Sequence, residues 1–400
     1  MEEFSRPLII HHYPGTYKMM NPTLKKILVF SLFFTVFSCP DNARGESLEK
    51  KIGLMIMVGF LGAELSEDNP IVEDIVRRGI SGVILLDHDA GIDSQKRNIR
   101  SPNQLRDLVS SLKKLPGGDE LLIAVQHEGG VNTPLKEDCG FPGSLSQGSL
   151  GRADDMDLTR QNSLDAAQTL STLGINLNLA PMLDLKPAEI SEPHGHDRHF
   201  SHDPEVVATQ AWEVINAHRV FNVLTAVKYF PGGRDMDEPG RGLAEPDDIW
   251  INSRALSPYR ELMADPGCDM VMMGNSLHPG LDPEWPATLS EKTVTGLLRQ
   301  KLGYTGVILS PDMQSPMIRG NYPLEIILER AITAGVDIIM FANSRVYEPD
   351  IAGRSVEIIK SLVNEGRITR SRINESYRRI KDLKSRLQPL VESDCSFCVK

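Results

Sequence analysis

Cysteine is scarce in this 400-residue chain, with five residues at positions 39, 139, 268, 395 and 398. That number and spacing make no disulfide framework for a domain of this size. A metal or redox role would need further ligands nearby or a strand-to-helix setting, and the sequence shows neither. Only Cys395 and Cys398, three apart in the C-terminal tail, are placed to close on each other in an oxidising compartment. Positive charge is also short: 43 Lys and Arg against 54 Asp and Glu give a net charge of -11, spread without long acidic blocks. That balance argues against nucleic acid and for a protein that takes neutral or cationic ligands.

No apolar run of bilayer-spanning length is evident either. The stretch 27–38 follows Lys25-Lys26 and is about a dozen residues long, well under the ~20 that a spanning helix needs. It fits the core of a signal peptide. Val36-Phe37-Ser38-Cys39 resembles a bacterial lipoprotein processing site, and Ala43-Arg44-Gly45 is an ordinary cleavage site. Both imply export, either to the periplasm or to the envelope surface through lipid on Cys39, which would be the chain's one link to a membrane. Residues 1–18 are polar and unpatterned, which leaves Met19 and Met20 as alternative starts. The expected organisation is an extension with a signal over 1–45, one folded domain over 46–387 and a tail over 388–400.

Within that domain no Pro/Gly/Ser-rich linker divides the chain. The composition, 40% hydrophobic and 24% charged, is that of an ordinary globular protein with a sizeable core. Strand-like runs occur at 54–60, 82–87, 121–126, 175–183, 225–230, 270–275, 306–310 and 337–342. Helical periodicity falls between them at 103–115, 157–173, 204–221, 293–302 and 324–334, and beyond them at 350–365 and 371–387. Eight strands alternating with helices predict an α/β fold, a single-domain (β/α)8 TIM-type barrel with extra C-terminal helices. The rival, a doubly wound open sheet, lacks a glycine-rich phosphate fingerprint after the first strand.

The fifth strand feeds directly into Lys228-Tyr229-Phe230-Pro231-Gly232-Gly233-Arg234-Asp235. Proline and two glycines turn the chain there, and Lys228 and Arg234 bring cations to the strand end, where barrels bind ligands. Other strand ends carry Val125-Gln126-His127-Glu128-Gly129-Gly130, Leu177-Asn178-Leu179-Ala180-Pro181-Met182-Leu183-Asp184, Asp197-Arg198-His199-Phe200 and Pro286-Ala287-Thr288-Leu289-Ser290. Together, over about residues 50–345, these motifs resemble glycoside hydrolase family 3, and the resemblance is nearest to its single-domain β-N-acetylhexosaminidases. It implies a carbohydrate partner, with peptidoglycan-derived amino sugars as candidates, and no cofactor or metal.

The resemblance also implies what is missing. Family members are retaining glycosidases with a carboxylate nucleophile and a separate acid/base. The nucleophile is the aspartate directly after the Ser or Thr that closes strand seven. Here the strand ends Leu309-Ser310-Pro311-Asp312, so proline stands at that position. Asp312, one residue on, should point the other way unless a bulge re-aims it. The family's acid/base is an Asp-x-His pair after the Lys-His-Phe-Pro-Gly motif, yet no histidine lies between His218 and His278. Arg241 falls nearby but cannot exchange a proton, and Asp237 or Glu238 are the only substitute acids.

Among sugar-binding positions, Arg198 and Lys228 are kept, with ion pairing to neighbouring carboxylates as their alternative role. Gln126 replaces an aspartate, Val131 an arginine, Tyr229 a histidine, and Asn275 stands where a histidine is usual. His194, His196, His199 and His202 surround Arg198 but are read as loop residues. The expected function is a family 3-like exported protein with impaired hydrolysis and retained sugar binding. The alternatives are an active hydrolase using Asp312 with Asp237 or Glu238, and a non-binding interaction protein.

Overall fold

The computed structural model describes residues 46–88, 97–118, 121–186, 197–232, 254–264 and 267–387. All the described residues fall within one compact unit. Eight parallel strands close into a barrel in sequence order, each bonded to the next and the last to the first. They are β1 (Ile56–Gly59), β2 (Gly82–Ile84), β3 (Leu122–Val125), β4 (Leu177–Asn178), β5 (Leu224–Phe230), β6 (Met270–Met273), β7 (Val307–Asp312) and β8 (Ile338–Phe341). All eight coincide with the strand-like runs of the sequence. Nearly every strand residue is buried, as expected of a parallel sheet covered by helices on its outside and filled by side chains within.

Helices Pro102–Lys114, Met156–Thr172, Pro204–Val220 and Leu324–Ala334 lie where helical periodicity was expected. Each start has a local cause. Ser101, Asp155 and Asp203 accept a first-turn N–H, and Pro102, Pro204 and Pro323 stand at or next to the first position. The segment Lys292–Lys301 is wound more widely, as a π-helix, where a regular helix was expected. Ile351–Asn364 and Arg370–Lys384 follow β8. Among the described residues no helix is long and apolar enough to cross a membrane.

Strand β4 is much shorter than the predicted run 175–183. Pro181 has no N–H to continue the ladder, so pairing lapses and resumes only as a bridge between Met182 and Lys228. Strand β7 ends two residues later than expected, at Asp312. Its register against β8 is irregular: Leu309 pairs with Ile338 and Asp312 with Met340, three residues spanning the space of two.

At the floor of the barrel, the N-terminal end of the strands, one buried carboxylate gathers the outer layer. Asp337 accepts from the Ile308 N–H (3.0 Å), Arg299 (2.5 Å), Arg372 (3.0 Å), Arg379 (3.1 Å) and the Ser376 hydroxyl (2.8 Å). This ties Arg370–Lys384 beneath β7 and β8.

Candidate functional site at the barrel mouth

At the C-terminal ends of β3 and β5 a second buried carboxylate organises a cluster. Glu128 follows β3 by three residues and is held in a tight loop. Gly129 there has φ 86°, and a Cβ on it would meet the Leu145 carbonyl oxygen at 2.0 Å. The Lys228 Nζ, on β5, lies 2.5 Å from Glu128 Oε1, with side chains 0% and 1% exposed. Arg198 reaches in from the loop after β4 as a two-pronged partner, Nε to Oε2 at 2.7 Å and Nη2 to Oε1 at 2.7 Å. The Gln126 amide donates to Oε1 at 3.1 Å. Arg198 Nη2 also donates to the Tyr229 hydroxyl at 3.2 Å, and both cations lie near that ring, 5.8 Å (Arg198) and 5.4 Å (Lys228) from its centroid. From beneath, the Phe230 ring packs edge-on against Tyr259, with centroids 5.1 Å apart.

Burial alone would push the Glu128 carboxyl up, but the Lys228 and Arg198 charges and their hydrogen bonds outweigh it and hold it at about 2. The carboxylate is therefore ionised at any physiological pH, and with two cations on one carboxylate the cluster is cationic overall. Lys228 is sealed, whereas the Arg198 side chain keeps 24% of its surface in solvent. Guanidinium and phenol donors fixed in this way suit the hydroxyl and amide oxygens of a sugar.

Three residues singled out from sequence, Arg198, Lys228 and Gln126, thus meet on one carboxylate, and the fourth, Tyr229, joins them through Arg198. Glu128 itself had been given no role. Its signal was present, a lone acid directly beyond a fully buried strand in a chain with two strand-end cations. Asn275 is almost completely buried and occupied elsewhere, donating to Ser315 (3.2 Å) and accepting from Thr288 (3.0 Å). Val131 is 61% exposed.

At the end of β7, Pro311 is buried and Ser310 accepts the Met340 N–H at 2.8 Å. The Asp312 Oδ1 accepts two backbone N–H groups, Gln314 at 3.1 Å and Ala342 at 3.0 Å, so this carboxylate pins the turn after β7 to the end of β8. Asp237, Glu238, Arg241, Arg234, His194 and His196 lie outside the described residues. Among the described residues no group of three or more His, Cys, Asp or Glu is arranged to hold a metal.

The fold is thus a closed (β/α)8 barrel with a charged cluster at its C-terminal mouth, an arrangement that barrels of many activities share. The chain belongs to glycosyl hydrolase family 3, whose model, described as the family's N terminal domain, matches residues 47–383. It is 29% identical over 316 residues to a β-hexosaminidase of Nitrosomonas eutropha, covering 77% of this chain and 84% of the relative. A β-hexosaminidase of Bordetella avium is 30% identical over 321 residues, covering 76% and 83%. Among solved structures, a family 3 β-N-acetylglucosaminidase from Paenibacillus superposes with a TM-score of 0.75 at 28% identity, over 89% of this chain and 66% of that one.

Proposed function

We propose that this chain is a β-hexosaminidase-like family 3 barrel that binds an amino sugar at its mouth and has lost hydrolysis. The observation that carries this reading is the end of β7, where Pro311 stands at the position that the family resemblance assigns to the nucleophile. A retaining reaction requires a carboxylate aimed at the anomeric carbon, about 5–5.5 Å from an acid/base partner, and proline offers no nucleophilic atom. Asp312 is committed to two backbone donors. The binding half survives in Lys228, Arg198, Tyr229 and Gln126 around Glu128, and the names of the relatives make N-acetylglucosamine the first ligand to try. Titration calorimetry with N-acetylglucosamine should show weak binding, diminished in Arg198→Ala by about 1–3 kcal/mol. An affinity unchanged in that variant removes the mouth as the binding site.

One observation favours the other reading, an active hydrolase with Asp312 attacking. The irregular register between β7 and β8 is the kind of bulge that re-aims a side chain. Loss of aryl-glycoside turnover in Asp312→Asn would establish it.

The site of action we place outside the cytoplasm, with peptidoglycan-derived amino sugars as the natural source of ligand. Lys25-Lys26 and the apolar run ending at Cys39 support this. Fractionation should recover a shortened protein from the periplasm or membrane, and a fatty-acid probe lost in Cys39→Ser would identify lipidation. Full-length protein in the cytosol would exclude export.

A further inference from the structure

Behind Glu128 lies a buried polar chain that none of the mouth residues explains. Asn178, the last residue of β4, is 1% exposed. Its side-chain oxygen accepts the His127 N–H at 3.0 Å, while its Nδ2 donates to the His127 carbonyl at 3.0 Å and to His218 Nε2 at 3.0 Å. His218, on Pro204–Val220, donates from Nδ1 to the Val214 carbonyl at 2.8 Å, which leaves Nε2 as an acceptor. We infer that Asn178, braced by His218, is a positioning residue for the mouth. By gripping both backbone groups of His127 it fixes where Glu128 stands, and through Glu128 it places Lys228 and Arg198.

Both amide N–H groups and the oxygen of Asn178 are used, so the amide has one orientation that satisfies all its partners. A flip would set N–H against N–H and oxygen against oxygen at His127, and would turn the oxygen toward the His218 lone pair. The clamped residue is the immediate neighbour of Glu128, so a slack clamp displaces the carboxylate that three donors meet.

The same strand pair carries its own control. Asn176 grips β3 by identical chemistry at the floor end, its oxygen accepting the Ile123 N–H (2.7 Å) and its Nδ2 donating to the Leu121 carbonyl (2.9 Å). It touches no residue of the cluster.

The inference rests on the amino-sugar reading only for what the mouth binds, so its test reads Glu128 itself. The charged or titratable groups around this chain are Lys228, Arg198, His127, His218 and Lys136. The probe is carbon-13 NMR titration of the Glu128 carboxyl in the full chain. The wild type and Asn176→Leu should titrate at about 2. Asn178→Leu should bind the Glu128 proton about tenfold more tightly or better, because the cations no longer meet it squarely. His218→Leu should move the same way by a smaller factor, and His218→Gln, which keeps an acceptor within reach of Asn178, should restore the wild-type value. A folded Asn178→Leu protein with wild-type Glu128 titration overturns the inference, as does an equal shift in Asn176→Leu. If Asn178→Leu does not fold, the His218 pair decides, and an unshifted Glu128 in His218→Leu is the contrary result. N-acetylglucosamine binding is measured separately, so its absence would count against the proposed ligand alone.

Discussion

The floor and the mouth of this barrel are built on the same device and put it to different uses. At each end one buried carboxylate gathers several cations: Asp337 holds Arg299, Arg372 and Arg379, and Glu128 holds Lys228 and Arg198. At the floor Asp337 is completely buried beneath a helix, although Arg379 keeps 30% of its side-chain surface in solvent. At the mouth Arg198 remains partly in solvent and Tyr229 half-buried, leaving donors that a ligand can engage. Clusters of opposite charge are therefore not sites by themselves; what sets the mouth cluster apart is its place at the C-terminal ends of the strands, where barrels bind ligands.

The largest expected effect lies at the floor. Asp337→Asn leaves three arginines without their shared anion and should cost about 3–5 kcal/mol of stability, read as a lowered denaturant midpoint, because an uncompensated buried charge is the expensive half of a broken pair. Ligand affinity of the folded variant should be unchanged. Lost affinity with intact stability would reverse the roles assigned to the two ends.

Arg198→Ala should do the opposite, weakening N-acetylglucosamine by about 1–3 kcal/mol with the smaller effect on folding. Calorimetric titration beside a denaturation curve measures both quantities on one sample.

Acid should reach the mouth from behind. Burial holds His127 and His218 down at about 4, so both fold as neutral rings while the unfolded chain protonates near 6.5. The unfolded state then binds more protons between those values, and stability falls as the pH drops from about 6.5 to 4. Glu128, held at about 2, adds a further loss from about 4.5 downward. Denaturant midpoints measured from pH 7 to 3.5 should slope accordingly, and His218→Gln should lessen the slope above pH 4. A flat profile in the wild type would mean that these histidines are hydrated in the fold.

Much of this was legible from the sequence, for definite reasons. Fully buried parallel strands write themselves as short apolar runs, so all eight strands, and hence the barrel, could be located. Arg198, Lys228, Gln126 and Tyr229 were found because motifs sit at strand ends. Glu128 was not, although it stands just beyond β3, because a linear motif marks an acid as a candidate without saying that two distant cations will share it. Asn178 was hidden for the same reason: its partners come from the loop after β3 and from a helix some 40 residues on. The truncation of β4 was readable in Pro181, whereas the bulge in β7 depends on how the last strands close the barrel.

The most direct measurement is turnover of an aryl β-N-acetylglucosaminide by the purified wild type, beside Asp312→Asn and Pro311→Asp. The account predicts that wild type and Asp312→Asn both release aryl alcohol no faster than buffer, since the proposed reading removes both the nucleophile and general acid assistance, the latter ordinarily worth about 10²–10⁴-fold. Pro311→Asp, combined with a histidine introduced near Arg241, is the route by which activity should return. Turnover by the wild type that vanishes in Asp312→Asn would contradict the account and make this chain a hydrolase with a displaced nucleophile.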